Sequence, residues 1–385
     1  MPWSEAPEPS PIRHLYLHAP FCPRRCSYCD FPVTTAERAP TGAWLSALSA
    51  EVALLEAEGR FFLDQQLDTL YVGGGTPSFL GPDAMGSIPR LLGQERLTAP
   101  RLEWTVEANP ESFTRALALS WAQAGVNRVS LGVQSFQPPV LRWLNRSHGP
   151  EEAHGAIQAA RRGGIENISL DLMFGLPGAV KRDWTRDLDR ALAAEVPHLS
   201  LYGLSVEKGT PLALDMELGK LPRPDEEEYR EEFLEASERL VSEGYRHYEV
   251  SNFALPGYES RHNLAYWERR PYLGLGNGAH SYQPPRRSWN LRGWTEYQRA
   301  CEAGDSPREG EEELTTKDVR LEGLWLGLRT DRGMNTRDWR GKAVDLVTSW
   351  VSEGYARHEK GTVRLTPSGW LLLDHLVVKL DQTLG

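Results

Sequence analysis

The sequence predicts an α/β fold: a partial barrel of six β/α units, followed by a smaller, mainly helical module of winged-helix type. Three observations predict it. Strand-like runs alternate with helix-like runs between residues 15 and 204, which calls for right-handed βαβ crossovers and a parallel sheet covered by helices. Polar or glycine-rich residues recur at the ends of those strands. The last 70 or so residues change to helix–helix–hairpin–helix. At 385 residues the chain is long for one compact domain, and one large plus one smaller unit is the expected division. The boundaries expected are a loose, proline- and acid-rich arm over 1–12, the barrel over 13–215, a barrel-flanking segment over 216–305 and the C-terminal module over 306–385.

The elements follow in order. Leu15 to His18 is a short alternating strand. Thr41 to Gly59 is a helix, with Trp44, Leu45, Leu48, Val52 and Leu55 at helical spacing and Gly59 as its stop. Leu67 to Val72 is the second strand and runs into Gly73-Gly74-Gly75-Thr76-Pro77, with a helix after Pro82. Leu102 to Glu107 is the third, followed by a helix over Glu111 to Ala124 that Gly125 stops. Arg128 to Val133 is the fourth, leading to Gln134, a short helix near Val140–Leu144 and a longer one over Glu151 to Arg162. Asn167 to Phe174 is the fifth, followed by a helix over Asp183 to Glu195, and His198 to Leu204 is the sixth. Asp225 to Glu243 is a charged helix with Tyr229, Phe233, Leu234 and Leu240 as its apolar stripe. Residues 245–300 read as aromatic and irregular, and Pro284 to Arg287 and Ala303 to Glu313 read as loops. Helices are expected over Lys317–Leu328, Ala343–Glu353 and Ser368–Leu380, with a turn at Lys360-Gly361 between short strands.

Composition narrows the function. The chain is 40% hydrophobic and 25% charged, with a formal net charge of -10, which argues against a non-specific nucleic-acid binder. No run of eighteen apolar residues reads as a membrane span, and the first residues lack the basic and apolar halves of a signal peptide. Clustered cysteines without a disulfide framework fit a reducing cytoplasm.

Chemistry centres on Cys22-Pro23-Arg24-Arg25-Cys26-Ser27-Tyr28-Cys29. Four cysteines exist in the chain and three of them stand in this loop. Three soft thiolates on a short C-x3-C-x2-C loop can hold three corners of an iron–sulfur cube and leave the fourth iron open. A structural zinc site is the competing reading, but zinc wants four ligands, and neither His14 nor His18 stands at a finger spacing. The triple glycine lets bare backbone approach a ligand; the Walker pattern is absent, and a tight turn is its plain structural alternative. Glu107 and Asp171 are acceptor-only carboxylates at strand ends, suited to an ammonium or to ribose hydroxyls, or else to a structural ion pair with a group such as Arg146. Six such strand ends in register imply one shared cleft.

These residues carry a resemblance. Tyr16-Leu17-His18-Ala19-Pro20-Phe21 before the cysteine loop, with Gly-Gly-Gly-Thr-Pro after the second strand, resembles the radical S-adenosylmethionine (radical SAM) superfamily. In that superfamily the open iron holds the methionyl amine and carboxylate, and an electron from the cluster cleaves the cofactor to a 5′-deoxyadenosyl radical. Val106 to Pro110, Gly132 to Phe136, Asn145-Arg146 and Asp171 to Pro177 are similar to the coproporphyrinogen oxidase-like group within it, over residues 13 to 380. The resemblance implies a 4Fe–4S cluster on Cys22, Cys26 and Cys29. It also implies S-adenosylmethionine held by Tyr16, Gly74 and Glu107, with Tyr28, Gly75, Thr76, Gln134, Arg146 and Asp171 lining a second cofactor position or the same cleft. Ser205 is a weaker match.

Two branches of that group compete: the oxygen-independent coproporphyrinogen III oxidase, and the HemW family of haem chaperones. The oxidase carries a further cysteine where this chain has Phe31, and a long extension where about a dozen residues here precede the first strand. Arg261-His262-Asn263-Leu264-Ala265-Tyr266-Trp267 contains H-N-x-x-Y-W, which resembles the chaperone branch. That resemblance implies a haem chaperone with a cluster and S-adenosylmethionine, carrying haem near His262, Asn263, Tyr266 and Trp267, with His280 as a second candidate iron ligand. Read on its own, the H-N-x-x-Y-W run is a structural aromatic corner with a satisfied histidine. The partners implied are haem as cargo and recipient haemoproteins such as respiratory enzymes, with room for membrane contact through the recipient and for a homodimer. The alternatives are a radical enzyme acting on a tetrapyrrole, and a zinc-stabilised interaction protein.

Overall fold

The computed structural model describes residues 11–60 and 62–384. Most of the arm expected over 1–12 lies outside the described residues. Ile12 at its end is buried and bridges Leu63.

Six parallel strands form the centre: β1 (His14–Ala19), β2 (Thr69–Gly74), β3 (Glu103–Ala108), β4 (Arg128–Gln134), β5 (Asn167–Phe174) and β6 (His198–Gly203). Period-two alternation gives the strands two faces. Leu15, Leu17, Leu70, Val72, Trp104, Val106, Val129, Leu131, Leu170 and Leu199 are buried in the main apolar core with the helices. The alternate residues are polar: Thr69 and Tyr71, Thr105 and Glu107, Ser130, Ser169 and Asp171, Ser200 and Tyr202. Register sets them side by side, with Glu107 opposite Ser130 and Asp171 opposite Ser200. The cleft is thus written into every second residue of the sheet.

The connecting helices are Thr41–Ala57, Asp83–Leu92, Arg115–Ala124, Pro150–Arg162, Trp184–Ala193 and, after the sixth strand, Glu226–Ser242. Three of the starts follow side-chain caps. Thr114 accepts from the Leu117 amide, Asp183 from Arg186, and Asp225 from Glu227 and Glu228. The Thr114 cap corrects the helix expected from Glu111: Pro110–Ser112 is a short 3-10 turn, and the α-helix starts at Arg115.

The stretch from 245 to 313, expected to be irregular over 245–300 and a loop over 303–313, is instead mostly strand and helix. It supplies β7 (Arg246–Glu249), β8 (Asn252–Ala254), β9 (Tyr272–Leu275), β10 (His280–Gln283), β11 (Arg286–Asn290) and β12 (Arg308–Glu313). The twelve strands run in the order β12-β11-β10-β9-β1-β2-β3-β4-β5-β6-β8-β7. β9 adds parallel to β1, while β10, β11 and β12 extend that edge antiparallel. The two stretches expected as loops, 284–287 and 303–313, therefore contain paired strands. Opposite charges hold β11 to β12: Arg287 lies across from Glu312 at 3.2 Å and Arg286 from Glu313 at 3.8 Å.

The C-terminal module has helices Thr316–Leu328, Lys342–Ser352 and Leu373–Leu384 around a small antiparallel sheet made by Met334–Asn335, Ala356–Glu359 and Thr362–Leu365. Backbone bonds from Val250 to Arg329 and from Asp331 to Tyr248 tie it to the sheet. The Trp370 ring packs edge-on against His247, with centroids 4.4 Å apart. No described helix is long and apolar enough to cross a membrane.

Candidate functional site: a cysteine-lined cavity beside an aromatic cleft

The cysteine loop leaves β1 through Phe21–Cys22, which pairs in parallel with Thr34–Thr35. It is fastened on both sides. The Trp44 indole donates to the His18 carbonyl at 2.8 Å, the Leu212 amide donates to Ser27 at 3.0 Å, and Asn145 Nδ2 donates to the Arg25 carbonyl at 3.1 Å. The thiols of Cys22, Cys26 and Cys29 face a cavity of about 500 Å³ with Tyr28, Gly74, Gly75, Thr76, Glu107, Gln134, Arg146, Asp171 and Ser205 also in its wall. Among the described residues, no three His, Cys, Asp or Glu side chains converge as they would round a single metal ion.

Two hydrogen-bonded brackets shape this cavity. In the first, Glu107 accepts from the Tyr71 hydroxyl at 2.8 Å and from the Gly74 amide at 3.0 Å, so β3 fixes the glycine loop. Gly74 has φ +111, and a Cβ there would fall 2.2 Å from the His18 ring; a Cβ on Gly75 would fall 2.7 Å from the backbone of Pro20. The loop needs glycine because it packs directly on the end of β1. In the second, Arg146 donates to Asn109 Oδ1 at 2.6 Å, to the Gly132 carbonyl at 2.7 Å and to Cys26 Sγ at 3.7 Å. Asn109 in turn donates to Thr76 at 3.2 Å, and Thr76 meets the Cys22 thiol at 3.3 Å. Asn109 joins the glycine loop, the arginine and the cysteines. Asn109 stands within the Val106 to Pro110 motif, and its position two residues past Glu107, just beyond the end of β3, is the sequence signal for this role.

Burial dominates the electrostatics. It pushes the Asp171 carboxyl up to about 7, helped by the neighbouring Glu107 charge and opposed by a hydrogen bond that Ser130 donates at 2.9 Å. Glu107 is raised for the same reason, against the bonds from Tyr71 and Gly74. Burial also pushes the Cys22 thiol up to about 11. Gln134 sits at a register shift in β4 with φ 66, an uncommon conformation for a residue with a side chain. The Arg146 Nε is buried with no partner among the described groups.

Tyr16 lies elsewhere. It lines a second, larger cleft of about 950 Å³, and its hydroxyl meets His18 Nδ1 at 2.9 Å. The cavity and the cleft share Asp30 and Phe31 at their boundary, with Phe31 65% exposed. Tyr266 and Trp267 line this cleft as well. His262 does not. It is 1% exposed, its Nδ1 meets Thr69 Oγ1 at 2.7 Å and its Nε2 meets the Tyr266 hydroxyl at 2.8 Å. Its ring stacks on Tyr71, with centroids 5.0 Å apart, and burial drives its pKa down to about 3. The first two amides of its helix, Arg261–Trp267, donate to the Glu103 carboxylate at the start of β3, and the helix is capped by Ser260, which accepts from the Asn263 amide. His262 thus plugs the end of the strands opposite the cysteine loop. As folded, it is the satisfied core histidine of the plain reading, with neither nitrogen free for iron. Asn263 is half-buried and lines neither cavity.

Comparison with known proteins adds the family. A sequence model of the Radical SAM superfamily matches residues 16–191. The chain is 36% identical to "Heme chaperone HemW" of Mycobacterium tuberculosis, covering 97% of this chain and 95% of that protein. It is 32% identical to the protein of the same name from Bacillus subtilis, covering 94% and 97%. It is 34% identical to the mitochondrial "Radical S-adenosyl methionine domain-containing protein 1" of Bos taurus, covering 96% and 84%. Among solved structures, coproporphyrinogen III oxidase (HemN) from Escherichia coli superimposes with a TM-score of 0.79 at 21% identity, covering 97% of this chain and 91% of that one, a likeness of fold. Near-complete coverage at this identity places the chain in the HemW family of the radical SAM superfamily.

Proposed function

We propose that this chain is a haem chaperone: it takes up haem, holds it in the aromatic cleft, and passes it to recipient haemoproteins. Relatives over the full length carry the name heme chaperone. The observation that carries the reading is the character of the cleft. Its walls are aromatic, and its acids Asp30, Glu309, Glu312 and Glu322 outnumber its arginines Arg269, Arg287 and Arg292. Coproporphyrinogen brings four propionates and no metal, so it would meet net repulsion there. Haem brings two propionates and a cationic iron. Its volume falls in the range of ligand-holding pockets, about 300–1,000 Å³.

Membership of the radical SAM superfamily implies a 4Fe–4S cluster and S-adenosylmethionine, and the residues fit both. Cys22, Cys26 and Cys29 are the soft donors for the cluster. Tyr28, Gly74, Gly75, Thr76, Glu107, Gln134, Arg146 and Asp171 would hold the cofactor, and the partnerless Nε of Arg146 suits an anionic group there. When bound, the pair supplies one-electron reductive cleavage of the cofactor's sulfonium. The chain's own part is placement. Glu107 holds the Gly74 amide in position, and Arg146 locks Asn109 and the strand end at Gly132. Glu107 and Asp171, ionised by a bound cation, would balance its charge.

Anaerobic reconstitution followed by two assays tests the proposal. Saturable haem uptake and hand-over, with no decarboxylated porphyrinogen formed in the presence of reductant and S-adenosylmethionine, is the expected result. Multiple-turnover decarboxylation would replace this reading with the oxidase.

A further inference from the structure

We propose that the haem iron in the cleft is taken by His280, with the H-N-x-x-Y-W helix forming part of the cleft wall and not supplying the ligand. This rests on the haem-chaperone reading and assigns the residue that carries it. Three histidines have no hydrogen-bond partner among the described residues: His154, His280 and His375. His154 and His375 lie on exposed faces of the helices Pro150–Arg162 and Leu373–Leu384. His280 stands on β10 in the wall of the 950 Å³ cleft. An axial ligand needs an imidazole nitrogen without a protein partner beside a space large enough for the macrocycle, and among the described histidines His280 combines both. The other histidine of the cleft wall, His18, has both nitrogens engaged, with Tyr16 and with the Pro32 carbonyl. His262 has both engaged with Thr69 and Tyr266.

The scaffold round His280 is rigid. Its ring stacks on Trp289 directly across the strand pair, with centroids 6.1 Å apart and planes 28° apart. The turn before it is pinned by buried Glu51, which accepts from the Gly276 amide at 2.9 Å and from Asn290 Nδ2 at 2.5 Å, and itself receives the Tyr297 hydroxyl at 2.6 Å. A Cβ on Gly274 would strike the His280 carbonyl at 2.2 Å, so β9 and β10 pack too closely there for any side chain. A ligand held this way keeps its orientation without cargo. Arg269 and Arg287 share Glu322 deep in the cleft, whereas the Arg292 side chain is 61% exposed at the mouth beside Asp30. Propionates pointing out of the mouth reach Arg292 first, which sets the macrocycle edge beside the cysteine loop.

The test is a spectroscopic haem titration of the anaerobically reconstituted full-length protein, comparing wild type, His280→Ala and His262→Gln. Secondary structure and cluster content are checked for each. The expected result is a histidine-ligated spectrum in wild type and in His262→Gln. In His280→Ala that spectrum is lost, affinity falls about tenfold or more, at least the scale of losing a residue that only orients a metal ligand, and added imidazole restores the spectrum. A folded His280→Ala protein with wild-type spectrum and affinity overturns the assignment while leaving the chaperone reading intact. So does a folded His262→Gln protein that alone loses the spectrum. A wild type that takes up no haem overturns both.

Discussion

Replacing His262 with alanine separates a structural histidine from a ligand. In this fold the imidazole fills the interior behind Tyr71 and makes two hydrogen bonds, at 2.7 Å and 2.8 Å. Thr69 keeps a second partner, His14 at 3.0 Å, but the buried Tyr266 hydroxyl loses its partner, which costs about 1–3 kcal/mol. Loss of the stack with Tyr71 adds about 0.5–1.5 kcal/mol. A cavity term for the missing ring brings the whole to about 3–5 kcal/mol, the range for truncating a buried aromatic side chain. Denaturant unfolding of the cofactor-free protein reads this as a lower midpoint at an unchanged slope. The Tyr71–Glu107–Gly74 chain runs from this ring to the glycine loop, so S-adenosylmethionine binding weakens as well. A variant within about 1 kcal/mol of wild type that nonetheless loses its haem spectrum would refute this reasoning and make His262 the ligand.

Four further outcomes follow. Asp171 has its carboxyl raised from 3.8 to about 7, so it is neutral below that pH and charged above it. Affinity for the cationic cofactor therefore rises as pH climbs through about 7, and calorimetry on Asp171→Asn shows that part of the dependence gone. The same shift makes the folded, ligand-free protein bind more protons than the unfolded chain between those values. Its stability relative to Asp171→Asn accordingly falls as pH rises towards 7, measurable by unfolding across that range. Gly74→Ala forces a Cβ onto His18 at positive φ; reduced cluster loading in iron and sulfide analysis, with secondary structure retained, is the expected result. Arg146→Met leaves Asn109 and the Gly132 carbonyl without their donor, and S-adenosylmethionine affinity in equilibrium binding drops at least tenfold, the scale of a lost charge-assisted hydrogen bond.

Much of the fold was legible because the signals are local. Period-two alternation and glycine stops marked the six strands and most of their helices within a residue or two, while the helix expected from Glu111 starts four residues later, at Arg115. The cysteine loop and the Gly73–Pro77 turn announced themselves by composition. What the sequence concealed depends on distant partners. β12 is Arg-Glu-Gly-Glu-Glu-Glu, a poor strand by propensity, and it is held by arginines more than twenty residues away. Without that edge, the cleft beside it and the free imbalance between His280 and its neighbours are invisible. His262 looked like a ligand in a motif, and only the fold brings Thr69, Tyr71 and Tyr266 round it. Tyr16 was expected beside the cofactor; strand parity gives it the same face as His18, but its ring lies in the wall of the second cleft.

The central claim is that this chain carries haem and does not consume a porphyrinogen. The most direct measurement loads the cluster-bearing protein with haem, removes the excess, and mixes it with an apo-haemoprotein while following both Soret bands. The account predicts saturable, stoichiometric loading and transfer to the recipient at the expense of the donor band. Haem that never loads, or a protein that instead decarboxylates coproporphyrinogen over many turnovers, would contradict it.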